Sequence, residues 1–365
     1  MPGISNNSRV SVNILDAHLR KLTEPIYVDN PLMAMLKSKN RIVMKGKGVG
    51  KTLKWRVRYK RRTINAGPGV NTTYTFTPHQ TKKLAELDWR NYWLTESYTK
   101  FEELISTNPE TALGDITEEV MTEAMEDFRA DFPLKFFNDG NVSGNRGVHG
   151  VESFMSYSGT VTNGLVGDPN DVYAGLYTTL GYYGGTWTPP SSQGWPIPTD
   201  SGCASQYHFW SPMVVDYTNA LWNAGTKTWI NTWSEALRFA VTYQKIIQDA
   251  KVDLFYLHPE LERDMKDSLT AKETFEITAN SELVRLGFPT LNFEGTEVLS
   301  GYGLPGSTGY GLSWDNIELR SLQDQLVATD SDEDLVSLTK RMLFDFYGNY
   351  RFESPAKFVK LINAT

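Results

Sequence analysis

Strict two-residue alternation sets in at Leu53. Leu53, Trp55, Val57 and Tyr59 fall on one face of an extended strand, and Lys54, Arg56, Arg58 and Lys60 on the other. A Gly67-Pro68-Gly69 turn follows, and alternation resumes through Tyr74 and Phe76 among threonines, so the pattern predicts a long β-hairpin with one apolar and one cationic face. Leu84 to Tyr98, with Leu87, Trp89 and Trp93 in alternation, predicts a further strand. The period then changes to that of a helix. Asn108-Pro109 offers a cap and a first-turn proline, and Asp115 with Glu118 offers a second start of capping-box type. Leu113, Ile116, Val120, Ala124 and Phe128 form an apolar stripe, and Glu118, Glu119, Glu123, Glu126, Asp127 and Asp131 crowd the opposite face.

Before the hairpin, the short apolar patches Val12–Leu15 and Leu32–Leu36 are separated by Pro25 and Pro31, as expected of an arm that wraps a surface. Asp139 to Thr228 is rich in Gly, Tyr, Trp, Pro and Ser and predicts an irregular region with short strands at most. An amphipathic helix is expected over Thr228–Asp249, with Ile230, Trp233, Leu237, Val241 and Ile247 near one face. A buried strand follows over Val252–Leu257, then a helix opened by Pro259. Leu291–Phe293, a Glu294-Gly295 turn and Thr296–Leu299 read as a hairpin. Ile317–Leu319 and Met342–Phe352 are expected as strands, the latter broken at Gly348-Asn349. The fold class is α+β.

Composition narrows what such a chain does. Its 365 residues exceed the size at which one core keeps growing, so two subdomains or a domain with large excursions are expected. The stretch Lys45–Arg62 carries nine basic side chains and no acid, in a chain whose net charge is −7. That overall acidity argues against a dedicated nucleic-acid binder and directs the basic hairpin toward a protein partner, with the acidic helix as its electrostatic counterpart. The single cysteine, Cys203, excludes an internal disulfide framework and a Cys-rich zinc site. No apolar run is long enough to cross a bilayer, and the amino terminus has no signal-peptide pattern, so no membrane partner and a cytosolic place of synthesis or assembly are expected.

Catalytic and metal motifs fail on inspection. Gly46 to Thr52 resembles a phosphate-binding loop, but Lys45 stands where the first glycine belongs, and Lys51-Thr52 runs into a strand rather than a helix. Asp330 to Asp334 mimics a calcium loop, yet Leu335 replaces the turn glycine and Arg341 the bidentate Glu; a solvated acidic loop, or caps for the following segment, is the expected structure. The histidines His18, His79, His149, His208 and His258 show no metal-ligand spacing. No catalytic residue, cofactor or metal is therefore expected. The aromatic stretch Tyr157–Trp210 would also suit sugar stacking, which keeps a carbohydrate-binding or tail-associated β-rich protein as one reading.

A basic extended hairpin, an acidic helix, a helix-and-strand unit with the Leu291–Val298 hairpin, and a closing Glu353-Ser354-Pro355-Ala356-Lys357-Phe358 tail follow in that order. This order resembles the major capsid protein of tailed bacteriophages, whose fold is shared with the herpesvirus capsid floor and encapsulin shells. The resemblance implies an N-terminal arm at 1–44 and an extended loop at 45–94. It implies a peripheral domain with a long spine helix at 95–152 and 335–365, and an axial domain at 153–334. Asn138–Gly140 with Val148–Val151 would be a glycine-punctuated strand entry after the spine.

The implied function is a non-enzymatic subunit that forms pentamers and hexamers of an icosahedral shell around double-stranded DNA. An encapsulin-like compartment is the nearest alternative. Lys54, Trp55, Arg56, Val57, Arg58, Tyr59, Lys60, Arg61 and Arg62 are the candidate inter-subunit residues on the loop. Glu118, Glu119, Glu123, Glu126 and Asp127 are those on the helix. The apolar hairpin face is expected to need cover from a neighbour, because an isolated hairpin is marginal in water. Some relatives carry a helical scaffolding extension before the arm; here scaffolding is expected as a separate protein, or the extension as removed, with a portal as a further partner.

Overall fold

The structure, a computed structural model, describes residues 30–44, 50–60, 62, 76, 78–106, 116–142, 147–157, 166–185, 206–219, 222, 228–248, 250–270, 282–286, 288, 290–334 and 337–363. Its helices are α1 (Pro31–Ser38), α2 (Lys100–Ser106), α3 (Ile116–Asp131), α4 (Trp229–Gln248), α5 (Pro259–Thr270) and α6 (Glu282–Arg285). Strands β1 (Ile42–Val43), β2 (Thr52–Arg58), β3 (Lys82–Asp88) and β4 (Arg90–Thr99) precede the helix α3. The short strands β5 (Val166–Gly167), β6 (Val172–Tyr173) and β7 (Leu176–Tyr177) lie in the Gly/Tyr/Trp-rich region, followed by β8 (Met213–Asp216) and β9 (Leu254–Leu257). The last seven are β10 (Leu291–Phe293), β11 (Thr296–Ser300), β12 (Gly309–Leu312), β13 (Ile317–Ser321), β14 (Ala328–Asp334), β15 (Thr339–Phe352) and β16 (Val359–Ile362).

One sheet is organised by β15. Along one edge β15 pairs with β14 through residues 339–345 and with β13 through 348–352; along the other it pairs with β4 through 339–348. β1 adds a parallel edge to β13. The α3 stripe and the 3-10 turn Phe132–Phe137 pack on this sheet by edge-to-face contacts. Tyr92 meets Phe128 at 5.4 Å, Phe132 meets Phe346 at 5.1 Å, and Phe136 meets Tyr350 at 5.4 Å. α1 is capped by the Asn30 side chain on the N–H groups of Leu32 and Met33, and it buries Leu32 through Leu36 in the same core. The segment expected as a surface arm is thus, over its described part, a core helix; residues 1–29 lie outside the described residues.

The second sheet runs β10-β11-β9-β12-β16-β8-β5. All four residues in each of β8, β9, β12 and β16 are buried, because both faces are covered. Leu254, Tyr256, Tyr310 and Leu312 face the first core. Phe255, Leu257, Val359 and Leu361 face a second core built with Trp233, Leu237, Ala240 and Tyr243 of α4 and Leu261 and Met265 of α5. Strand pairing assigns β13 and β14 to the first sheet and β16 to the second, so the expected segment 153–334 contributes strands to both sheets.

At the junction of the cores, Lys360 Nζ lies 2.6 Å from Glu152 Oε2, and the Tyr310 hydroxyl donates to the other oxygen of that carboxylate.

Several expectations are met within a residue or two: α4, α5, β9 and the β10–β11 hairpin, whose turn has positive φ at Glu294 and Gly295. Others change. β15 is continuous through Gly348 and Asn349. The Asn349 amide donates to Asp88 O at 2.9 Å and accepts from His149 N at 2.8 Å, and a Cβ on Gly348 would lie 2.4 Å from Arg320 O. A polar residue and a glycine here serve close approach rather than a break.

The run Asp330–Asp334 is strand β14, not a loop. Val148–Gly150 leads into a 3-10 turn, Val151–Phe154, rather than a strand. Glycine is required there because a Cβ on Gly150 would lie 2.4 Å from Phe136 O. The helix start expected at Asn108 and the stripe residue Leu113 lie outside the described residues.

Candidate inter-subunit surface

β2 pairs antiparallel with β3 in the register Leu53↔Leu87, Trp55↔Ala85 and Val57↔Lys83. The return strand is therefore Lys82–Asp88; Phe76 is 92% exposed and outside any strand, and Gly67–Gly69 and Tyr74 lie outside the described residues. The inner face does not wait for a neighbour. Leu53, Ala85 and Leu87 are buried, and Trp55, Val57 and Tyr59 pack half-buried against the first core. Trp55 lies 6.5 Å from both Tyr173 and Trp210, donates from Nε1 to Glu353 O at 3.2 Å, and takes the Arg351 guanidinium over its ring at 5.8 Å. Tyr59 meets Phe209 edge-on at 6.0 Å. The expectation that a second copy covers this face is corrected: the aromatic-rich region between β5 and β8 does so within the chain.

The outer face remains cationic. Lys54 is the exception in having an acid opposite, Glu86, at 2.9 Å. Hydrogen bonds from Thr52 and then from Lys54 hold the Glu86 carboxyl below the ordinary carboxylate range. Arg56, Arg58, Lys60 and Arg62 are exposed and have no carboxylate partner among the described residues. Arg61 and the start of the phosphate-loop look-alike, 45–49, lie outside the described residues.

On α3, Glu119, Glu123, Glu126 and Asp127 are exposed, whereas Met121, Ala124, Met125 and Phe128 are buried; the Glu118 side chain lies outside the described residues. Asp131 pairs with Lys135 at 3.1 Å. Among the described residues the structure forms no ion pair between the hairpin cations and the helix acids, so it does not bring the two candidate surfaces together within one chain.

Sequence reasoning missed the covering residues Tyr173, Phe209 and Trp210, and it missed Glu86. The signal for Glu86 was its place in Lys82–Asp88, a segment whose alternation is inverted: Leu84 is 51% exposed while Ala85 is fully buried. It also missed a cleft of about 410 Å³ at the hairpin base, lined by Trp55, Arg56, Arg58, Phe209, Glu353 and Lys357 among others. No group of three or more His, Cys, Asp or Glu able to hold a metal occurs among the described residues. No helix among them is long and apolar enough to cross a membrane.

No family model matches the chain, and no curated protein matches its sequence. Solved structures do match. A chain of the cyanophage A-1(L) capsid asymmetric unit aligns with a TM-score of 0.60 at 14% identity, covering 91% of this chain and 92% of that one. A capsid chain of the empty GTA particle gives 0.51 at 9% identity, and one of the native GTA particle gives 0.50 at 10%, each covering 91% of this chain and 90% of its own. The likeness covers nine-tenths of the chain, and it shows that this chain has the α+β fold of phage major capsid proteins.

Proposed function

We propose that the chain is the major capsid protein of a tailed bacteriophage, a non-enzymatic subunit that assembles into pentamers and hexamers of an icosahedral shell around double-stranded DNA. The observation that carries this reading is the fold match over nine-tenths of both chains to the cyanophage capsid. The cations of the hairpin (Lys54, Arg56, Arg58, Lys60, Arg61, Arg62) and the acids of α3 (Glu118, Glu119, Glu123, Glu126, Asp127) are contacts between copies.

Such head-to-tail contacts close into rings rather than two-fold dimers. Each exposed ion pair contributes only about 0.2–1 kcal/mol, so stability of the shell comes from repetition. A separate scaffolding protein and a portal are the further partners, and the product is the virion capsid, assembled in the host cytoplasm. Negative-stain microscopy of the purified chain tests the reading. Closed shells or five- and six-fold rings are expected; a chain that stays monomeric at high concentration, with or without scaffold, overturns it.

A further inference from the structure

The cleft at the hairpin base is an anion-accepting groove with an aromatic wall. Trp55, Val57 and Phe209 form the wall, and Arg56, Arg58, Lys60 and Lys357 supply the charge. The acid in its lining, Glu353, is already engaged by Arg351. No carboxylate pairs with any of the four cations among the described residues. A carboxylate entering here gains charge-assisted hydrogen bonds beside a partly desolvating wall, where they are stronger than in open water.

The complementary surface lies at the other end of β15. β14 carries Asp330, Asp332, Glu333 and Asp334, and residues 330–333 are all exposed. It is an edge strand, paired on one side with β15 and on the other with no described strand. Glu333 is held by Lys100 at 3.0 Å and Asp334 by Arg341 at 2.9 Å, but neither Asp330 nor Asp332 forms an ion pair among the described residues, although Arg341 is the register partner of Asp332.

Asp332 stands opposite Arg341 at one end of β15, and Glu353 follows the other end. The extended chain between 341 and 353 separates the two surfaces by roughly 40 Å at 3.3 Å per residue. A continuous strand does not fold back across that distance, so one chain cannot close the contact on itself. Two copies can, head to tail.

We infer that the cleft of one copy receives the β14 edge of the next, with Asp330 and Asp332 meeting Arg56 and Arg58. The inference rests on the self-assembly reading and names a contact within it. It also assigns the cations at the hairpin base to an acidic strand rather than to the acidic helix α3.

Charge reversal tests it. R56E/R58E and D330K/D332K should each lower the assembled fraction roughly tenfold or more at equal concentration, read by sedimentation velocity and negative stain, because like charges then face each other across the contact. The melting temperature of the unassembled chain should not move. A chain carrying all four changes should regain assembly. Should a reversal misfold, R56Q/R58Q and D330N/D332N provide the milder comparison.

D330K/D332K shells indistinguishable from the unaltered ones overturn the contact while the shell reading stands. Rescue of R56E/R58E by E119K/E123K/E126K in place of D330K/D332K makes α3 the occupant and overturns it as well. An unaltered chain that never assembles removes the shell reading and this contact together.

Discussion

At the junction of the two cores, Lys360 is buried in mid-sheet with Glu152 at 2.6 Å on its ammonium group and Tyr310 donating to the same carboxylate. At the hairpin base, Arg56 and Arg58 stand exposed with no acid opposite among the described residues. Both are cations on strands, yet they serve different ends. The first is a satisfied network that locks the 3-10 turn Val151–Phe154 to the second sheet. The second has no ion-pair partner among the described residues. Charge buried with its partner holds the subunit together, whereas charge left open on a strand face is available for association.

The largest effect should come from breaking the buried side of this contrast. Lys360→Met leaves the Glu152 carboxylate with Tyr310 alone and should cost about 3–5 kcal/mol of stability. K360M/E152Q should recover most of that, since the orphaned charge and not the lost pair dominates the cost. Urea denaturation of the unassembled chain measures both. A K360M penalty below about 1 kcal/mol would mean that the junction is solvated and the contrast with the hairpin unfounded.

Acid should act on two buried histidines. Burial, and for His149 also the neighbouring Arg90, lowers His149 and His208 from 6.5 to about 4. Between those values the unfolded chain binds more protons than the folded one, so stability falls as pH drops through that window and changes no further from these groups below it. On the order of 3 kcal/mol is at stake for each. Asp139 and Asp171, raised chiefly by burial, act with the opposite sign, since the folded state protonates them first as pH falls. Thermal unfolding from pH 7 to pH 4 should show the loss, and His208→Phe should flatten it. An unchanged pH slope in that variant would remove His208 from the account.

Trp55 separates intrachain cover from interchain cover. It contacts Tyr173, Trp210, Glu353 and Arg351 of its own chain. Trp55→Ala should therefore destabilise the unassembled chain by about 2 kcal/mol, less than a fully buried aromatic would cost because the ring is half-exposed. A variant of unaltered stability that fails only in assembly would restore the neighbour as the covering partner.

The contrast also marks what could be read from the chain. Leu53 to Tyr59 disclosed its two faces because only one is buried. β8, β9 and β16 are buried on both faces, so Met213–Asp216, Leu254–Leu257 and Val359–Ile362 carry no alternation that would separate one core from the other. β14 is exposed over residues 330–333 and has only Ala328 as an apolar residue, so its acids read as a loop. Helix α3 disclosed Ala124 and Phe128, while Met121 and Met125 shift the buried stripe round the helix. Candidate residues on the hairpin and helix were legible as exposed charge. The cleft was not, because Arg56 and Lys357 are brought together only by β2 lying against the end of β15.

The smallest effect concerns Lys54, a hairpin cation that does have an acid opposite. Lys54 and Glu86 are register partners at 2.9 Å, both about half exposed, and Thr52 also donates to Glu86 at 2.6 Å. A double-mutant cycle with Lys54→Ala and Glu86→Ala should return a small coupling that falls with added salt, because both groups are in water. Lys54 thus resembles Lys360 in being paired and Arg56 in being exposed. If pairing alone decided stability, the Lys54–Glu86 coupling would approach the cost of breaking Lys360–Glu152. A coupling of that size would show that the hairpin ladder, not burial at the junction, sets the worth of a strand cation here. The expected small and salt-sensitive value makes burial the deciding variable, and it leaves the outer face of β2 free of any cost to the fold when a neighbour engages it.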